Sequence, residues 1–177
     1  SGEVSKWHRV PVGHVSRSNG PLRFIAHRGN VDGRNPELEN EPAYLKRALA
    51  LGFDVQCDAW LDEDTNTWWL GNDKPQHAID YSFLYTDGVW VQCKNDAALA
   101  VLLNDDRVHA FCHDKDGCTL TSRSVIWTSR DTKSLGQRSV AVMPSDPASL
   151  LTERISGICH SDVGPLREQY VRLRHGP

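Results

Sequence analysis

Phe24-Ile25-Ala26-His27-Arg28-Gly29 is the stretch from which the fold can be read. An apolar strand runs into an imidazole, a guanidinium and a glycine. Two chemically active side chains therefore fall at the carboxyl end of a strand, where a loop begins. In α/β folds that end of the sheet holds ligands and chemistry. Arg28 offers a fork of donors suited to a phosphate, and His27 can exchange a proton near neutral pH.

Outward from this strand, the pattern alternates strand and helix. Leu45, Ala48 and Leu49 sit at helical spacing, with Pro42 in the first turn and Gly52 at the end. Residues 53–61 read as a second strand. A polar turn from Asp62 to Thr67 returns the chain as a short strand at Trp68-Trp69-Leu70. Residues 89–94 read as another strand, and Asn95 is a good N-cap for a helix over 96–103. Strand-like runs follow at 108–113, 125–128, 140–143 and 157–160. Asp146-Pro147 opens a short helix. Asp162 and Pro165 open a final one, with Val163, Leu166, Tyr170 and Leu173 on one face.

Such alternation means a parallel α/β sheet. About seven strands, evenly spaced, predict a compact (β/α) TIM-type barrel; at 177 residues it falls below the usual ~200 and would be minimal or partly degenerate. An open parallel α/β sheet is the alternative. Residues 1–20 are polar and irregular and are expected to wrap or plug one end of the barrel, with Ser1-Gly2 read as a cloning scar. Residues 21–177 are expected to form a single barrel domain.

The 20 basic and 23 acidic residues give a formal charge of −3, which argues against a general nucleic-acid or anionic-membrane binder. No apolar run approaches the ~20 residues that span a bilayer, so a soluble protein is expected. Cys57, Cys93, Cys112, Cys118 and Cys159 are odd in number, widely spaced and free of any Cys-x-x-Cys pair. Buried free thiols in a reducing, cytoplasmic compartment follow.

Strand alternation sorts the side chains by face. Gln56 and Asp58 share a face that Cys57 opposes. Gln92 and Lys94 share a face that Cys93 opposes, and Phe111 and His113 share one that Cys112 opposes. Carboxylate, amide, ammonium and imidazole groups thus converge on the barrel mouth, while the thiols pack beneath the helices. Each such polar group costs several kcal/mol if buried without a partner, which points to a polar, wet site.

In order along the chain, His27-Arg28-Gly29, Glu39-Asn40, Gly52-Phe53-Asp54-Val55-Gln56-Cys57-Asp58, Gly71-Asn72-Asp73 and Gln92-Cys93-Lys94 resemble the glycerophosphodiester phosphodiesterase-like barrels. Those belong with the phosphatidylinositol-phospholipase-C-like phosphodiesterases. The likeness covers residues 24–95 and is looser beyond. Thr119-Leu120-Thr121-Ser122 and Val125-Ile126-Trp127-Thr128 look like a short, divergent branch of the family. The resemblance implies metal-dependent phosphodiester hydrolysis. His27 and a second histidine would exchange protons with the attacking and leaving oxygens. Arg28 would bind phosphate. Glu39, position 56 and Asp58 would hold Mg²⁺ or Ca²⁺, ions that prefer oxygen ligands.

Three positions depart from that pattern: Gln56 stands where the family has Glu, Asn72 where it has the second His, and Gln92 where an acidic residue or His is expected. Each keeps roughly the expected shape and removes charge or proton chemistry; asparagine cannot act as a general acid at pH 7. The catalytic candidates are therefore His27, position 72 (Asn72) and His113, with Asp73 as another residue that could take over. Arg28 and Lys94 are the phosphate-binding candidates. Glu39, Gln56 and Asp58 are the metal-binding candidates, and Asn40, Asp73 and Gln92 line the pocket. Two functions are expected: a phosphodiester hydrolase, or a catalytically inactive variant that binds a phosphorylated ligand or a partner protein.

Other features read more plainly. His113-Asp114-Lys115-Asp116-Gly117 lacks the acidic residue that closes a calcium loop and is a turn. Cys112-His113 and Cys159-His160 point their neighbours to opposite faces, which argues against zinc. Trp60, Trp68, Trp69, Trp90 and Trp127 read as core or rim packing, with Trp69 or Trp127 near the mouth able to hold an apolar part of a substrate.

Overall fold

The computed structural model describes residues 21–176. Ten strands form a single sheet. Its backbone is a parallel run of β6 (His109–Phe111), β5 (Val89–Cys93), β2 (Asp54–Asp62), β1 (Arg23–His27), β10 (Gly157–His160), β9 (Ser139–Val142) and β8 (Ile126–Thr128). β2 runs on past β1, and the hairpin of β3 (Thr67–Leu70) and β4 (His77–Ile79) adds antiparallel to that projecting end. β7 (Cys118–Leu120) pairs antiparallel with β8.

The sheet curls around an interior of Ile25, Trp90, Phe111, Trp127, Val140 and Cys159, contributed by six different strands. Phe111 and Trp127 have ring centroids 4.6 Å apart, although β6 and β8 share no strand ladder. Hydrogen bonds bridge that edge; among them, Ser122 N donates to Ala110 O at 2.8 Å, and Ala110 N donates to Ser122 Oγ at 2.9 Å. The complete TIM barrel expected from the alternation is not seen. The described residues form a curled, mainly parallel half-barrel sheet with three helices, an arrangement compatible with the open α/β alternative.

The reason lies in the connections. α1 (Pro42–Ala50) and α2 (Asp96–Leu102) link parallel neighbours, and α3 (Val163–His175) follows β10. The β6-to-β8 link is instead spent on β7, and the β9-to-β10 link is a single 3₁₀ turn at Pro147–Leu150. A larger apolar core lies on the sheet's outer face, where Leu45 and Ala48 of α1, Ala98 and Leu102 of α2 and Val163 and Leu166 of α3 pack on Val55, Cys57, Val91 and Ile158. Leu173, expected on that face of α3, is exposed instead, because the helix runs on beyond the sheet.

Asn95 caps α2 as its position predicts. Its Oδ1 accepts from Ala98 N, and its amide also pairs with both backbone groups of Leu61. Cys57, Cys93 and Cys159 are buried free thiols. Cys112 and Cys118 correct the expectation: both are exposed, Cys112 just past the end of β6 and Cys118 on β7 at the sheet's edge. Cys159 faces the interior rather than the helices. The expected N-terminal plug lies outside the described residues. Among the described residues no helix is long and apolar enough to cross a membrane.

Candidate functional site

Register places the site. Parallel pairing sets His27 beside Gln56 and Asp58 beside Gln92, so the carboxyl ends of β1, β2 and β5 present these side chains on the concave face. Arg28 follows immediately, with φ +54, and Gly29 continues at φ +89. A non-glycine residue in the left-handed region is uncommon and costs free energy unless its surroundings hold it. Here Arg28 N donates to Gln56 Oε1 at 3.3 Å, and its carbonyl accepts from Asn40 N at 3.1 Å. The backbone reversal turns the guanidinium back over the sheet end.

That guanidinium is the centre of the site. Nη1 donates to Glu39 Oε2 at 3.1 Å, and Nη2 donates to Asn72 Oδ1 at 2.7 Å. Nε lies 3.0 Å from Asp58 Oδ2, an ion-pair contact without hydrogen-bond alignment. Asp58 and Gln56 are both about 1% exposed. Asp58 is held by Asn40 Nδ2 at 2.9 Å and Gln56 Nε2 at 3.1 Å, while its own N–H donates to Asn40 Oδ1 at 2.9 Å. Asn40 thus pins the β1–α1 loop to β2, itself at φ +64.

Glu39 also accepts from Arg34 Nε at 2.9 Å and from Asn30 Nδ2 at 3.2 Å. Burial pushes its carboxyl upward, but the hydrogen bonds from Arg34, Arg28 and Asn30 outweigh that and leave it below the usual range. Asn30 Oδ1 in turn accepts from Tyr44 Oη and Asn35 N. Asn30, Arg34 and Tyr44 were not legible as site residues. Asn30 follows the His-Arg-Gly run, and an asparagine two residues past a strand-end arginine is a signal that could have drawn attention to it.

His27 stays neutral. Burial, reinforced by the positive charge of Arg28, pulls its pKa down to about 3, against an opposing pull from Glu39. Its Nδ1 is buried and has no hydrogen-bond partner among the described residues. Asn72 is held at the rim by Gly71, whose N–H donates to Asp58 O and whose carbonyl accepts from Trp60 Nε1 at 2.7 Å. Asn72 Nδ2 donates onward to Asp73 Oδ1 at 3.2 Å.

The structure therefore gathers Arg28, Glu39, Asn40, Gln56, Asp58, Asn72 and Asp73 into one connected network beside His27. Other sequence candidates are not tied into it. Gln92 Nε2 donates to the carbonyl of His113 at 2.9 Å, and His113 Nε2 pairs with Asp116 O at 2.8 Å, closing its own turn. Lys94 is half-buried and has no ion-pair partner among the described residues. Trp127 is buried in the interior rather than at the mouth, whereas Trp69 is half-buried and pairs across strands with Trp60 on the projecting β2–β3 arm.

The residues present do not fit a divalent cation as they stand. The oxygens of Glu39 and Asp58 that would ligate it already face Arg28, and Gln56 turns its oxygen to the Arg28 backbone. Searches of family models, curated proteins and solved structures found no match to this chain.

Proposed function

We propose that this chain is a phosphodiesterase-like α/β fold that has become a binding module for a phosphorylated ligand, without turnover. The observation that carries this reading is the Arg28 network, in which one guanidinium bridges Glu39 and Asp58 and also donates to Asn72. Hydrolysis of a phosphodiester calls for a proton donor to the leaving oxygen and a cation for the developing charge. Asn72 offers no titratable proton at pH 7.

Recognition needs less. Lys94 offers an ammonium without an ion-pair partner among the described residues, and Arg28 keeps guanidinium N–H groups beyond those donated to Glu39 and Asn72. Both suit phosphate oxygens. His27 stands beside these groups as a neutral imidazole and adds no competing charge.

The resemblance to metal-dependent phosphodiesterases supports the alternative of a weakened hydrolase, and one assay separates the two. A chromogenic phosphodiester is incubated with the parent protein and with Gln56→Glu, Asn72→His and the double variant, each with Mg²⁺, Ca²⁺ or Mn²⁺. The proposal expects the parent to match the protein-free rate. A parent rate that a further variant, His27→Ala, abolishes would favour the hydrolase.

A further inference from the structure

We infer that Arg28 is the resident cation of this site: its guanidinium takes the place of a divalent metal ion, and removing it unmasks a cation site. This rests on geometry alone and holds whatever ligand the module binds. Three oxygens from three separate segments face one guanidinium: Glu39 Oε2 from the β1–α1 loop, Asp58 Oδ2 from β2 and Asn72 Oδ1 from the loop after β3. Oxygens drawn from distant parts of the chain onto one point are what a hard cation demands. Here they surround the three nitrogens of one guanidinium, each oxygen beside a different nitrogen.

Charge supports the same reading. Two carboxylates, Glu39 and Asp58, face two guanidinium groups, Arg28 and Arg34. Arg34 is mostly exposed, but Arg28 is largely enclosed and is the only cation touching both acids among the described residues. Without Arg28, Asp58 would keep only the neutral amides of Asn40 and Gln56. A buried carboxylate so placed either takes up a proton or recruits another cation. Bringing a divalent ion in beside Arg28 would instead place like charges together in an enclosed site.

Residue 28 sits at φ +54, where glycine is at ease, so Arg28→Gly removes the guanidinium while keeping the backbone turn. Calcium and manganese are titrated calorimetrically into the whole parent chain, Arg28→Gly, Asp58→Asn and the double variant. The parent is expected to show no binding that depends on Asp58. Arg28→Gly should bind at least about tenfold more tightly than the parent and melt higher with calcium, and the double variant should lose both effects. Parent binding that Asp58→Asn abolishes would overturn the inference, as would a folded Arg28→Gly chain that gains nothing. If Arg28→Gly is unfolded without metal, native circular dichroism recovered by calcium supports the inference, and failure to recover it counts against it.

Discussion

Arg28 Nη2 donates to Asn72 Oδ1 at 2.7 Å, a bond that joins the end of β1 to the loop beyond β3 across 44 residues of chain. Arg28 donates two side-chain hydrogen bonds among the described residues; Glu39 accepts one, and this one has the uncharged acceptor. Asn72→Ala removes the acceptor and should cost about 1.5–3 kcal/mol, the range for a hydrogen bond to a charged group. Asn72→Asp, which keeps an oxygen there, should cost less. Urea unfolding of both variants checks the order, and equal losses would contradict it.

Gly71 positions that asparagine. A Cβ at residue 71 would lie 2.0 Å from the carbonyl oxygen of Lys74, a backbone atom that cannot swing aside. Gly71→Ala should therefore destabilise the protein by about 2 kcal/mol or more, as overpacking does. It should also disturb the Trp60 indole bonded to the Gly71 carbonyl. Denaturant midpoints and tryptophan fluorescence report the two effects together.

The fold should be acid-labile. His27 and His109 both have folded pKa values near 3, against 6.5 when unfolded, chiefly through burial, and burial also lowers His160. The unfolded chain then binds more protons than the native one between about pH 6.5 and 3. Stability is full above that window and falls as pH drops through it, by about 1.4 kcal/mol per pH unit for each of the two buried histidines. Glu39, held below the usual carboxyl range, adds a loss of the same sign at lower pH. Unfolding free energies at several pH values test this; a flat profile between pH 7 and 5 would contradict it.

The thiols should divide into two classes. Cys112 and Cys118 are exposed, whereas burial raises Cys93 to about 12 and lifts Cys57 and Cys159 well above the ordinary range. Reactivity follows thiolate character and access. A chromogenic disulfide reagent should titrate two thiols in the native protein and five after denaturation.

Much of this arrangement was legible because strand alternation is a strong constraint. It placed Gln56 and Asp58 on the concave face and Cys57 and Cys93 beneath the helices, as the structure shows. What it missed was set by contacts far apart in sequence. β4 and β7 are three residues each, short of an alternating apolar pattern, and exist because β3 and β8 offer an edge. The open side between β6 and β8 depends on how the chain between them is spent, which periodicity does not report. The backbone turn at Arg28 was not legible either. Its positive φ sets the guanidinium against Glu39 and Asp58, and nothing local in the sequence announces that reversal.

We propose that the carboxyl ends of β1, β2 and β5 form a phosphate-recognising rim around Arg28. Two-dimensional amide NMR during titration with glycerol 3-phosphate tests it most directly. Saturable shifts are expected at residues 27–30, 58, 72 and 94, abolished by Lys94→Ala combined with Arg28→Gly. Shifts confined to other surfaces, or none while the protein remains folded, would contradict it.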